Sequence, residues 1–193
     1  IKTIPAMILE GQDSYTSPSF SLKQRLARQL WDITWMLLFR PTPRLMHGWR
    51  RALLKAFGAK LGQYVHIHPS VKVWAPWNLT IDDYVGIGEG AVIYSMDRIH
   101  IGSFAVVSQG TYLCAGSHDF NSRNMQLTTA PITIGKYTWL CAHTFVCPGV
   151  DIAEGTVIAA RGVVSKSVQT GWGVWAGVPA KKVGDRAREQ VQR

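Results

Sequence analysis

Aliphatic residues recur at every sixth position through the middle of this 193-residue chain. The residues at this spacing are Ile81, Ile87, Ile93, Ile101, Val107, Leu113, Ile134, Leu140, Val146, Ile152, Ile158 and Val164. A two-residue slip precedes Ile101, and the stretch 114–133 separates the two halves of the series. A helix repeats every 3.6 residues and an alternating strand every two, so neither produces a period of six. The sequence therefore predicts a hexapeptide repeat.

A second register supports this prediction, because small or β-branched residues stand four positions after the aliphatic ones. They are Val85, Ala91, Ala105, Thr111, Thr138, Thr144, Val150, Thr156, Gly162 and Val168. A six-residue unit cannot bury its own apolar side chain, so the units must wind into a solenoid with one continuous core. We expect an all-β domain, a parallel β-helix over residues 61–179, interrupted by a loop over residues 116–131.

Both ends of such a solenoid need a cover. We expect residues 1–60 to form an N-terminal extension and helical cap, and residues 180–193 to form a short basic C-terminal helix or tail. The apolar residues of the cap follow helical spacing through Leu22, Leu26, Leu30, Ile33, Leu37 and Leu38. The pair Pro41 and Pro43 breaks this helix.

The net charge of +9 is carried by the two ends of the chain. Residues 61–180 hold 6 Lys/Arg against 7 Asp/Glu, so the body is nearly neutral and does not indicate nucleic-acid binding. Residues 23–60 hold nine Lys/Arg and one acid, Asp32. This segment fits a peripheral membrane contact, or a capping helix whose apolar face packs on the first coil.

Cysteine usage and hydropathy bear on the cellular setting. The three cysteines have no recurring spacing, and the N-terminus lacks the order of a secretory signal. The apolar run at 30–39 is shorter than the roughly 20 residues of a membrane-spanning helix. We expect a cytoplasmic protein, which could also bind peripherally to the inner face of the membrane.

Several stretches resemble the hexapeptide-repeat acyltransferases, and among them the acetyltransferase family of colanic acid and related exopolysaccharide biosynthesis. The matching stretches are 48–62 (GWRRALLKAFGAKLG), 67–70 (IHPS), 113–120 (LCAGSHDF) and 176–181 (AGVPAK). The resemblance implies a left-handed β-helix, a homotrimer, and transfer of acetyl from acetyl-CoA to a sugar hydroxyl. The left hand comes from the resemblance alone, since crossover rules favour the right hand.

His118 stands where the repeat breaks, and loops on a rigid scaffold carry function. In similar acetyltransferases the matching histidine is the general base. A hydroxyl that attacks a thioester needs such a base, and imidazole is mostly neutral near pH 7. Covalent catalysis through Ser117 or Cys114 is less favoured, because Ser117 and His118 point to opposite faces of an extended segment.

The resemblance also implies where the two substrates bind. The residues that match its coenzyme contacts are Ala142, Ala160, Ser165, Lys166 and Lys181. Small side chains would let the pantetheine arm lie against a coil, and the lysines could meet phosphates. Candidates for contact with the acceptor are Asp97, Asp119 and Trp139. Gly88 replaces an asparagine that related galactoside and maltose enzymes use at the acceptor, so the sugar stays open.

No metal site is expected. Cys141 and His143 lack a second ligand pair, and position 123, where a related zinc enzyme would need a histidine, is Arg123. The other five histidines receive no role. Two alternatives to an acetyltransferase stay open: a non-catalytic scaffold or membrane-associated assembly factor, and an acyltransferase that uses a longer acyl donor.

Overall fold

The six-residue repeat folds into a parallel β-solenoid in the computed structural model, which describes residues 17–188. Each coil contributes short strands to three faces, and equivalent strands of successive coils pair in parallel. Every aliphatic residue of the repeat is at most 4% exposed, so these side chains form the predicted continuous core. The second register is buried as well, which is why small and β-branched residues are required there.

The strands are numbered in chain order and grouped by face. The first face holds β1 (Lys60–Leu61), β4 (Leu79–Ile81), β7 (Ile99–Ile101), β12 (Ile132–Ile134) and β15 (Asp151–Ile152). The second face holds β2 (His66–Ile67), β5 (Gly86–Ile87), β8 (Val106–Val107), β13 (Trp139–Leu140), β16 (Val157–Ile158), β18 (Gly173–Ala176) and β19 (Lys181–Asp185). The third face holds β3 (Lys72–Val73), β6 (Val92–Tyr94), β9 (Tyr112–Cys114), β14 (Phe145–Val146) and β17 (Val163–Val164).

The predicted interruption of the repeat is an antiparallel hairpin. Its strands are β10 (Gly116–His118) and β11 (Leu127–Thr129), in which His118 pairs with Leu127. The hairpin leaves the solenoid after the third-face strand β9 and returns before the first-face strand β12. It therefore projects from the corner between these two faces.

The prediction of a C-terminal helix is wrong for the described part of that segment. Residues Lys181–Asp185 form β19, which pairs antiparallel with β18. The last coil has a strand edge with unpaired backbone groups, and a returning strand satisfies them where a helix would not. The predictions for residues 1–16 and 189–193 lie outside the described residues.

Two helices cover the opposite end, as predicted. Helix α1 (Leu22–Thr34) continues as one π-helical segment (Trp35–Phe39), and α2 (His47–Ala56) follows after the two prolines. The Ser21 hydroxyl accepts a hydrogen bond from the Gln24 N–H at 3.4 Å and caps α1. A 3-10 turn (Pro76–Asn78) precedes β4.

Side chains of the cap satisfy backbone carbonyls of the first coil. The three bonds join Trp31 Nε1 to Val73 O (2.7 Å), Trp35 Nε1 to Val71 O (2.8 Å), and Arg50 Nε to Ile67 O (2.7 Å). The first coil has no preceding coil to pair with, so these donors supply the hydrogen bonds that an edge would otherwise lack. The cap is thereby fixed to the solenoid by directional bonds as well as by apolar burial.

Helix α1 does not pack through its leucines. Trp31, Phe39 and Leu54 are fully buried against the first coil, whereas the leucines of α1 are 60–66% exposed. The interpretation that the leucines of α1 form the apolar face that packs on the first coil is therefore wrong. The tryptophans pack there instead, because their N–H groups reach the edge carbonyls and the leucines have no such group.

Candidate active site

His118 lies on the exposed side of the hairpin, at the end of β10. The turn beyond it is tightly bonded to itself. The Asp119 N–H donates to Gln126 O at 2.8 Å, and the Ser122 hydroxyl donates to Asp119 O at 2.7 Å. Local bonds thus hold the imidazole on a defined support, although the loop extends from the solenoid body.

One hydrogen bond fixes the state of the His118 ring. Its Nδ1 lies 2.6 Å from the backbone oxygen of Met125, in the turn of the same hairpin. A carbonyl oxygen can only accept, so Nδ1 carries the hydrogen and donates it. In the neutral ring Nε2 then holds the free lone pair. This is the tautomer that a general base requires.

Asp97 and Asp119 bond within their own turns. One carboxylate oxygen of Asp97 accepts the Arg98 N–H at 2.7 Å, and one of Asp119 accepts the Asn121 N–H at 2.9 Å. Both aspartates therefore shape loops at the corner of the solenoid that carries His118. Each keeps a second carboxylate oxygen that could meet a ligand.

Gly116 begins the hairpin against two side chains of the preceding coil. A Cβ atom at this position would overlap Met96 Sδ and lie 3.2 Å from Tyr94 Cε1. Met96 is 6% exposed and so has little room to move. Tyr94 and Met96 therefore support the base of the His118 hairpin.

Trp139 lies on the second face, away from the corner that carries the hairpin. Its ring is 46% exposed, and its Nε1 donates to the Ser108 hydroxyl at 2.9 Å. Ser108 lines an open cavity of about 560 Å³ between this face and the cap. The remaining polar residues of the lining are Arg44, His47, His66, His68, Glu89 and Gln109.

The cavity gathers histidines for which no role was predicted. His47 stacks on His66 with ring centroids 4.7 Å apart, and the Nδ1 of His68 lies 2.8 Å from the Ser70 hydroxyl. Burial lowers the pKa of His47, and the neighbouring Arg50 cation lowers it further. The alternation of His66 and His68 in the first coil was the only signal for this cluster in the sequence. The position of His47 depends on how the cap docks.

The predicted coenzyme residues fall at two corners. Ala142 and Ala160 occupy equivalent positions between the second and third faces in successive coils, where the Arg161 N–H donates to Ala142 O at 2.9 Å. Lys181 lies near them, because the Ala180 N–H donates to Val163 O at 2.8 Å. Ser165 and Lys166 lie instead at the corner between the third and first faces, two coils beyond the His118 hairpin.

The cysteines are free thiols, and burial raises the pKa of each one. The Cys114 thiol donates to Gly116 O at 3.1 Å. A protonated, partly buried thiol is a poor nucleophile, which disfavours covalent catalysis through Cys114. Within residues 17–188, no three His, Cys, Asp or Glu side chains are grouped so as to hold a metal ion.

Solved structures share this architecture. Galactoside acetyltransferase in complex with coenzyme A superposes with a TM-score of 0.80 over 90% of this chain and 87% of that chain, at 23% identity. The hexapeptide-repeat-containing acetyltransferase VCA0836 of Vibrio cholerae O1 biovar eltor, in complex with acetyl coenzyme A, gives 0.79 over 86% and 91%, at 21% identity. The fold is therefore that of the hexapeptide-repeat acetyltransferases.

A relative in Escherichia coli (strain K12), "Putative colanic acid biosynthesis acetyltransferase WcaF", is 41% identical over 162 residues. The alignment covers 84% of this chain and 88% of the relative. No protein-family profile matches the chain. The similarity over most of both lengths shows that the chain belongs to this acetyltransferase family, and it is an enzyme of the hexapeptide-repeat class.

Proposed function

We propose that this enzyme transfers an acetyl group from acetyl-CoA to a sugar hydroxyl in surface polysaccharide biosynthesis, with His118 as the general base. The observation that carries the proposal is the 2.6 Å bond from His118 Nδ1 to Met125 O, which leaves Nε2 free to accept a proton. The family of the chain supports the reaction class and the polysaccharide context.

The reaction needs one proton transfer that a side chain must perform. Acetyl-CoA supplies the acetyl group as a thioester. His118 Nε2 removes the proton of the acceptor hydroxyl as its oxygen bonds to the carbonyl carbon, the C–S bond breaks, and the imidazolium returns the proton to the leaving sulfur. The hydrogen bond to Met125 O stabilises the imidazolium, because Nδ1 remains the donor throughout.

The donor would bind at the two corners described above, which border the third face. Ala142 and Ala160 have no side chain beyond Cβ, so the pantetheine arm can approach their coils closely. Lys166 and Lys181 are exposed, and their ammonium groups suit the nucleotide phosphates. Ser165 offers a hydroxyl beside Lys166. These residues fit acetyl-CoA in size and charge.

The acceptor would occupy the cavity on the second face. Trp139 offers an exposed ring whose orientation is fixed by Ser108, and a flat aromatic face suits the C–H surface of a sugar. Asp97 and Asp119 could accept hydrogen bonds from hydroxyls. Arg44 and the histidine cluster would favour an acceptor that carries a carboxylate or a phosphate.

Within a single chain His118 and the acceptor cavity are far apart, because the hairpin and the cavity lie on different sides of the solenoid. We propose that a homotrimer joins the His118 corner of one copy to the second face of the next. Outward side chains of the third face are apolar and only partly covered, as a subunit contact requires: Val92, Tyr112, Phe145 and Val163. Light scattering should give a trimer, and an active monomer would contradict this arrangement.

The proposed setting is cytoplasmic, peripheral to the inner face of the membrane. Within the described residues, no helix combines the length and apolar character needed to cross a bilayer. A lipid-linked acceptor would present its sugar at the membrane surface, where the basic N-terminal segment would bring the enzyme.

The test measures labelled acetyl from acetyl-CoA in free-saccharide and lipid-linked fractions. We expect His118→Gln to lower the rate about 10²- to 10⁴-fold while acetyl-CoA still binds. His100→Gln is a matched control, because His100 is also half-exposed but pairs with Asp82 on the first face. Equal rates in wild type and His118→Gln would refute the proposed base. A folded protein with no transfer and no donor binding would favour a non-catalytic scaffold. A faster reaction with a longer acyl-CoA than with acetyl-CoA would show that the donor carries a longer acyl chain.

A further inference from the structure

The outer side of α1 and its π-helical continuation presents an apolar surface to solvent. Its side chains are 43–66% exposed and recur at helical spacing, and we call them the leucine face. They are Leu22, Leu26, Leu30, Ile33, Met36 and Leu37. A monomer rarely exposes so many large apolar side chains together, and such a patch marks an interaction surface.

The leucine face is not needed to hold the cap. The opposite side of the same helix buries Trp31 completely and carries both indole bonds to the first coil. Phe39 is also fully buried on that side. Because the packing side is already filled, the leucines are left to contact something other than this solenoid.

The surroundings of the leucine face are strongly cationic. Lys23 and Arg25 lie at its two edges, and Arg40 follows its C-terminal end. The single acid of residues 23–60, Asp32, bonds to Arg28 at 2.8 Å. The edges therefore carry uncompensated positive charge beside an apolar strip.

We propose that the leucine face docks on the surface of an anionic membrane, with its axis in the plane of the interface. Apolar side chains would enter the boundary between headgroups and acyl chains, while Lys23 and Arg25 would meet anionic headgroups. A second copy of this surface is a poorer partner, because docking would bring cations against cations. Docking of this kind would place the enzyme at a lipid-linked acceptor, and in that respect it rests on the proposed function, whereas membrane binding itself does not depend on catalysis.

The experiment measures co-sedimentation of the full chain with vesicles of phosphatidylcholine, with and without about one third phosphatidylglycerol. We expect binding to the anionic vesicles that weakens as salt screens the cations. Lys23→Gln/Arg25→Gln should lower the partition coefficient about 30-fold, because each cation near an anionic surface contributes about fivefold. Lys136→Gln is the control, since Lys136 lies on the solenoid body beside Glu154.

The apolar part is tested with Leu26→Gln/Ile33→Gln, which should lower vesicle binding at least about tenfold. Val183→Gln, on β19 at the far end of the solenoid, removes a similarly exposed side chain and should not change binding. Acetyl transfer to a soluble saccharide should be the same in these variants and in wild type. Failure of the proposed function would thus appear in a different assay.

Three outcomes would overturn the proposal. One is equal affinity for neutral and anionic vesicles, and another is wild-type binding by Leu26→Gln/Ile33→Gln. The third is a marked fall in unfolding temperature or a change of oligomeric state in that variant. It would show that the leucine face is covered by residues 1–16 or by a second copy, since a Gln at a truly exposed helical position costs little stability.

Discussion

The rings of Tyr84 and Phe104 lie 5.0 Å apart and within 2° of parallel, at the same corner of successive coils. Tyr64 and Tyr137 extend this stack on either side, with centroid distances of 4.9 and 5.0 Å. All four residues have positive φ, between 52° and 60°. Left-handed backbone is unfavourable for L-residues, so the stacked rings offset a cost that each corner imposes.

This relationship predicts an unusual order of stability at Phe104. Phe104→Ala removes two ring contacts and should cost about 2 kcal/mol, since each aromatic pair contributes about 0.5–1.5 kcal/mol. Phe104→Gly loses the same contacts but adopts positive φ freely, so it should be about 1 kcal/mol more stable than the alanine variant. Urea unfolding would measure both. At Thr133, in an ordinary strand, the glycine variant should instead be less stable than the alanine variant. A glycine variant that is also less stable than the alanine variant at Phe104 would contradict the prediction.

Gly116 should not accept a side chain. Gly116→Ala would push a methyl group against buried Met96, and overpacking of this kind costs about 1–3 kcal/mol. Met96→Ala creates the missing space, so the double variant should be more stable than the sum of the two single changes implies. A double-mutant cycle in urea measures this coupling. Strict additivity would show that the contact does not constrain the hairpin.

Trp31 and Trp35 make the same bond to the first coil at different depths. Trp31→Phe leaves the carbonyl of Val73 without its donor in a fully buried site, at a cost of about 1–3 kcal/mol. Trp35→Phe should cost less, because the Trp35 ring is only partly buried and water can take the place of its N–H group at the Val71 carbonyl. Chemical unfolding of the two variants tests whether burial decides the cost. Equal losses would argue that the ring volumes alone matter.

The sequence predicted the solenoid because one requirement recurs in every coil. Ile134, Leu140 and Val146 each face the same core from three successive faces, so the period of six is visible without any knowledge of pairing. An interruption at residues 116–131 was predicted for the converse reason, since the repeat breaks at His118, but its antiparallel pairing as a hairpin was not predicted. The tautomer of the His118 ring could not be predicted, because a hydrogen bond to the backbone oxygen of Met125 does not depend on which residue stands at position 125.

The ends of the solenoid could not be predicted in the same way. A run of leucines at helical spacing is equally consistent with a packed and an exposed face, and the indole bonds of Trp31 and Trp35 decide between them. Basic composition alone gave no sign that Lys181–Asp185 would complete a strand edge. The cavity joins Arg44 to Gln109, and residues that far apart meet only once the cap has docked.

His47 should make stability depend on pH in the acid range. Burial lowers its pKa most, Arg50, His66 and Arg44 lower it further, and the Ile67 carbonyl partly opposes them. In the unfolded chain the ring titrates near its ordinary value of about 6.5. As pH falls through that value the unfolded state takes up a proton that the folded state does not. The free energy of unfolding therefore decreases until pH falls below the folded pKa.

Above neutral pH this group contributes no pH dependence, because His47 is neutral in both states. Urea unfolding between pH 5 and pH 8 would measure the effect in wild type and in His47→Gln. The variant cannot titrate at this position, so its loss of stability on acidification should be smaller. His100→Gln serves as the comparison, because His100 pairs with Asp82 on another face and should leave the contribution of His47 in place. If His47→Gln loses as much stability on acidification as wild type, the partly buried ring of His47 is not the source of the acid sensitivity.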